Sequence, residues 1–210
     1  MLLGMEIVIF QLIILLFSVV IHEVSHGFVA ERLGDPTARL AGRLTLNPLK
    51  HLDPFGSVIL PLILSLFPGG VIFGWAKPVP YNPANLKNPE KGGALIAIAG
   101  PASNIFLVVV FSVLYRLADA FSYSVPWLDS LIGPFGLIVL VNVMLAVFNL
   151  VPIPPLDGSK ILFALLPQTA YRFKALLETY GMFLVLIFIF FGFGLIVPII
   201  LWLYRLFIGG

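Results

Sequence analysis

Uncharged apolar stretches recur along the chain at 7–21, 54–76, 94–115, 130–156 and 179–204. A helix needs about 20 apolar residues to cross a hydrocarbon core about 30 Å thick. The last three stretches meet that length outright. Residues 7–21 are short alone. The pattern continues through His22, Glu23 and His26 to Arg32, which predicts one long membrane helix with polar groups in its interior. No basic leader and no small-residue cleavage site precede that polar cluster, so a cleaved signal peptide is not expected. Pro61, Pro68, Gly69 and Gly70 interrupt 54–76. They leave about 12 residues that can be helical, about 18 Å, which suits a re-entrant segment better than a crossing.

The connections differ in character. Residues 34–54 and 70–91 are rich in Gly, Pro and Asn and hold two short extended candidates, 38–46 and 75–81. Pro78 and Pro80 limit the second to an edge strand. Residues 158–178 read as short amphipathic helices at the membrane surface, and no repeat divides the chain. The expected fold is a polytopic α-helical membrane protein. It has about four transmembrane helices, a re-entrant segment and a small membrane-associated β-region, in a single membrane-embedded domain over 1–210.

Charge orients this arrangement. If 54–76 does not cross, one side holds Arg32, Arg39, Arg43, Lys50, Lys77, Lys87, Lys91, Lys160, Arg172 and Lys174, and the other holds only Arg116 and Arg205. If 54–76 crosses, the twelve basic residues divide six and six and the bias vanishes. The positive-inside rule therefore favours an integral protein of the cell membrane with both termini outside and the basic side cytoplasmic. Composition agrees, with 60% hydrophobic and 10% charged residues against about 25% charged in soluble domains. A soluble globular enzyme and a disordered chain are excluded. A net charge of +2 gives no support for nucleic-acid binding, and the absence of cysteine excludes thiol catalysis and thiolate metal ligands.

The candidate chemistry sits in the first helix. Residues 22–26 read HEVSH, so His22 and His26 are four apart and share a helix face. Two imidazoles at that spacing can bind one zinc ion, with Glu23 beside them to act on water. Ionisable groups inside a membrane segment are costly and usually functional. A polar cluster that packs helices or lines a transport path is the bland alternative. A catalytic zinc takes three protein ligands and keeps one open position. His51, in the NPLKHLDPFG loop, is one possible third ligand. Asp157, in NLVPIPPLDG at 149–158, is the better one, because Pro152, Pro154 and Pro155 must break the helix there. Irregular backbone at membrane depth is tolerated only when it is buried in protein or lines a wet cavity. His22 and His26 lie about 9–15 Å inside the cytoplasmic end of their helix, and the four-crossing topology brings Asp157 to that side. A plain Asp-Gly turn is the alternative for Asp157.

HEVSHG, GWAKPVP at 74–80, GPASN at 100–104 and NLVPIPPLDG together resemble the site-2 protease family of intramembrane zinc metalloproteases, over about residues 20–160. The resemblance implies a core of three transmembrane helices carrying one zinc per chain. It implies His22, His26 and Asp157 as ligands and Glu23 as catalytic acid and base. It also implies that Asn149 contacts substrate or stabilises the oxyanion, where a helix-packing amide is the other reading. The PDZ insert and nucleotide-sensing CBS tail of larger members are not found in these 210 residues. The GPASN run suits close helix approach, and Asn104 is left between a neighbouring helix and substrate as partner.

The leading expectation is therefore an intramembrane zinc endopeptidase that cuts transmembrane or membrane-tethered protein substrates in the lipid bilayer. A metal transporter is the first alternative, but its ligands would recur at several depths, whereas these sit at one. A non-catalytic membrane scaffold is the second, and the intact Glu23 argues against it.

Overall fold

A computed structural model describes residues 2–53, 59 and 77–210. Helix α1 spans Leu2–Arg32 and includes the HEVSH run. It ends because Gly34 takes the left-handed conformation, with φ of 103°. There the Asp35 N–H folds back on the Ala30 carbonyl at 3.0 Å, closing the last turn. Asp35 is fully buried and collects the chain that follows. It accepts from the Thr37 hydroxyl at 2.5 Å, the Asn82 N–H at 2.6 Å and the Asn85 side chain at 2.7 Å. Burial opposes its ionisation, but these hydrogen bonds outweigh it and hold the carboxyl below its ordinary value.

Those bonds also start a short helix, α2, at Thr37–Leu40. The strand expected over 38–46 is therefore not formed. Residues 38–40 are helical, and Gly42, with φ of 65°, turns the chain so that the Arg43 N–H reaches the Ala38 carbonyl. No β-strand occurs among the described residues. The other extended candidate is described from Lys77 onward, and the expected re-entrant segment 54–76 lies outside the described residues apart from Ile59.

Helix α3, Pro89–Phe121, begins with Pro89 at its first position and Asn88 accepting from the Lys91 N–H at 3.0 Å. It is the central element and packs against α1, against α4 (Asp129–Asn149) and against α5 (Asp157–Leu165). Helix α4 stops where Pro152, Pro154 and Pro155 follow, as expected, and the irregular residues 150–156 lead into α5. Helix α6, Tyr171–Ile187, continues through a π-helical turn, Phe188–Gly192, into α7, Phe193–Ile208.

Among the described residues, four helical stretches are long and apolar enough to cross a membrane: Ile9–Arg32, Pro89–Phe121, Pro126–Asn149 and Tyr171–Ile208. An apolar core of Val108, Val139, Val143, Ile196 and Ile200 joins α3, α4 and α7. Phe106, Phe190, Phe191 and Leu195 remain exposed around it. Large exposed apolar side chains along such helices are suited to lipid and unsuited to water.

Candidate metal centre

The site forms where α1, α3 and the start of α5 meet. Helical pitch stacks His22 over His26, their ring centroids 4.6 Å apart and nearly perpendicular. Their Nε2 atoms converge on one oxygen, Asp157 Oδ2, at 3.1 Å from His22 and 3.2 Å from His26. Three ligand atoms around a tetrahedral zinc, each about 2.0–2.2 Å from the metal, are spaced about 3.3 Å apart. The observed separations match that spacing.

The other ring nitrogens are already engaged. His26 Nδ1 donates to the Ile96 carbonyl at 2.6 Å, and His22 Nδ1 lies 2.6 Å from Asn104 Oδ1. Both partners stand on α3, as does Gly100, and a Cβ at Gly100 would come within 2.5 Å of both imidazole rings. The glycine leaves the room in which the two rings face Asp157. His22, His26 and Asp157 are all largely shielded from solvent. A set of two Nε2 atoms and a carboxylate oxygen, with each Nδ1 held from outside, fits zinc.

Glu23 stands beside the pair, in a group with His22 and His26 whose ligand atoms all lie within 4.8 Å of one another. Its Oε2 accepts from the Val79 N–H at 2.8 Å. Residues 77–80 read KPVP, so only Lys77 and Val79 carry backbone donors. The Lys77 N–H goes to the His51 carbonyl at 2.8 Å. Buried Arg43 holds the Lys77 carbonyl at 2.6 Å. Gly27, the last residue of HEVSHG, admits this run, since a Cβ there would meet Val79 at 2.8 Å and Leu44 at 2.7 Å. The edge strand expected at 75–81 is thus, over 77–80, a strap over Glu23 with both of its donors occupied.

The remaining candidates fall elsewhere. His51 is fully buried and donates through Nε2 to the Thr45 carbonyl at 2.9 Å, apart from the cluster. Asn149 ends α4 and donates to the Leu145 carbonyl of its own helix at 3.0 Å. Asn104 faces neighbouring helices on both sides, bonding His22 and, through Nδ2, Asn142 Oδ1 at 2.9 Å. Asn142 and its partner Ser18 escaped the sequence reading, although an amide within the apolar run GLIVLVNVMLAVFN was a signal. A cavity of about 710 Å³ opens near the site, lined among others by Pro78, Glu90, Pro154, Ser159, Lys160 and Lys174.

A histidine pair and a carboxylate spaced as a metal would need them, with a second carboxylate beside them, inside a bundle of membrane-length helices, fit a membrane metalloprotease. The chain belongs to Peptidase family M50, the family of the site-2 proteases, which it matches over residues 10–126 and 124–192. It is a zinc metalloprotease. It is 38% identical over 180 residues to YwhC of Bacillus subtilis, named as a zinc metalloprotease, covering 85% of this chain and 78% of that protein. Rip2 of Mycolicibacterium smegmatis, also named as a zinc metalloprotease, is 33% identical, covering 82% of this chain and 63% of Rip2. The zinc metalloprotease MJ0392 of Methanocaldococcus jannaschii is 30% identical, covering 86% of this chain and 42% of that protein. No solved structure matches the chain.

Proposed function

We propose that this protease cuts transmembrane or membrane-tethered proteins within the bilayer, with zinc held by His22, His26 and Asp157. The convergence of two Nε2 atoms on Asp157 Oδ2 carries the ligand assignment. Bound zinc supplies a Lewis acid and makes water acidic near neutral pH.

The chain's own groups do the rest. Glu23 takes a proton from water on its carboxylate and passes it to the leaving amine. The Val79 N–H holds Oε2, which orients the carboxylate and leaves Oε1 to carry the proton. Asn149, beside the break before Asp157, is the amide proposed to meet the substrate carbonyl, and breaking its bond to Leu145 frees the N–H to do so. Water and an unwound substrate segment need a polar way in. The cavity flanked by Pro78, Pro154 and Ser159, with charged Glu90, Lys160 and Lys174 in its wall, offers one from the basic side.

In this reading the basic side is cytoplasmic and both termini are outside, while the re-entrant course expected for 54–76 lies outside the described residues apart from Ile59. The bond from Lys77 to His51 supports that topology, because it holds residues 51 and 77 on the same side.

The test is cleavage of a tethered substrate by purified protein in lipid, with chelator and with zinc added back. The reading requires cleavage lost on chelation and restored by zinc. Zinc-dependent metal flux through sealed vesicles without cleavage would support the transporter instead.

A further inference from the structure

Asn142 touches no metal ligand, yet its hydrogen bonds lead to one. It lies on α4, fully buried, as Asn104 is on α3. Its Nδ2 is 2.9 Å from the Ile138 carbonyl and 3.0 Å from Ser18 Oγ. Its Oδ1 is 2.9 Å from Asn104 Nδ2, and Asn104 Oδ1 is 2.6 Å from His22 Nδ1. We propose that Asn142 is a positioning residue for the metal centre: through Asn104 it fixes which nitrogen of His22 carries the proton and where the other points.

The polarity of this chain of bonds can be read in one direction only. A backbone carbonyl accepts and never donates, so Asn142 must turn its amide N–H₂ toward Ile138. Its oxygen then faces α3 and accepts from Asn104. Asn104, having given its N–H₂ side to Asn142, turns its oxygen to His22. An amide oxygen also only accepts, so His22 Nδ1 carries the proton and Nε2 presents its lone pair toward Asp157. Reversing either amide would set oxygen against oxygen, or donor against donor, between two fully buried side chains. Each buried polar group left unpaired would destabilise the site. His26 reaches the same tautomer through the Ile96 carbonyl alone. A metal ligand needs its outer nitrogen held, and loss of such partners weakens metal affinity about 10–100-fold. Two buried amides could also serve helix packing alone. Packing does not require a polarity that ends on an imidazole, and this difference is testable.

The experiment measures zinc affinity of the purified full chain by chelator competition, in a double-mutant cycle. Asn142→Leu keeps the volume and removes the amide. We expect zinc to bind about tenfold more weakly. Asn104→Asp keeps an acceptor oxygen for His22 Nδ1–H and no longer donates to Asn142. In that background Asn142→Leu should cost nothing further. An equal loss in both backgrounds, or no loss in folded Asn142→Leu, overturns the proposal. If Asn142→Leu does not fold, Asn142→Ser is read by the same two criteria. The proposal rests on His22 as a ligand, so His22→Ala is run alongside. Full zinc affinity in His22→Ala rejects the ligand assignment itself, whereas a null cycle with His22→Ala defective rejects only the positioning role.

Discussion

Gly100 is the surface on which both imidazoles rest, and a single methyl there decides whether they can face Asp157. A Cβ at 2.5 Å from each ring must push the imidazoles or the backbone of α3 aside. Gly100→Ala should therefore weaken zinc binding about 10–100-fold, by displacing the two proposed ligands, whose outer bonds are set by Ile96 and Asn104 on α3. Zinc titration of the folded variant checks this, and unchanged affinity would mean the rings do not sit against α3 as described. At this scale much of the site was legible. The four-residue spacing of His22 and His26 is a property of any helix, and Asp157 stood out as a charge closing an apolar, proline-broken run. His51 was a fair alternative on residue type alone, but it stands apart from the His22, Glu23 and His26 group, with Nε2 on the Thr45 carbonyl. Asn142 was not read, because one amide in an apolar helix carries no sign of which neighbour it bonds until the helices are packed.

The strap at 77–80 shows how an element acquires a role that its local pattern does not announce. Alternating prolines suggested a strand edge, and the same prolines leave only two donors, which fold back on His51 and Glu23. Val79→Pro would remove the donor to Glu23 and keep all three proposed zinc ligands. We expect kcat to fall about tenfold or more with zinc content unchanged, since general acid–base catalysis contributes about 10²–10⁴ and depends on a positioned carboxylate. Val79→Ala, which retains the N–H, should keep most of kcat. Steady-state kinetics on a tethered substrate separates the two, and equal losses would assign Val79 to packing alone. The segment 38–46 failed as a strand for a related reason. Its alternation is short, and the capping of Thr37 by Asp35, a contact fixed by the end of α1, selects a helical turn first.

For the whole molecule, helices α1, α3 and α4, the strap at 77–80 and the start of α5 bring described residues of the four motifs to one place, and the order of crossings decides which side of the membrane they face. Reporters fused at residues 1 and 210 should read outside, and reporters within 82–90 and near 168 should read cytoplasmic. An outside signal at 82–90 would contradict the proposed topology and separate Lys77 from His51 across the bilayer. The apolar runs foretold the four long helices well, because bilayer thickness sets their length. They could not foretell α3 as the hub, since its neighbours are chosen by packing of small residues and not by hydropathy. The central claim is that two histidines and Asp157 hold zinc while Glu23 performs proton transfer. It is tested most directly by Glu23→Gln, measuring bound zinc and cleavage of a tethered substrate on the same purified sample. Zinc content should equal that of the parent protein and cleavage should fall by at least about 10²-fold. Cleavage at the parent rate in a zinc-loaded Glu23→Gln protein, or loss of zinc from it, would contradict the account.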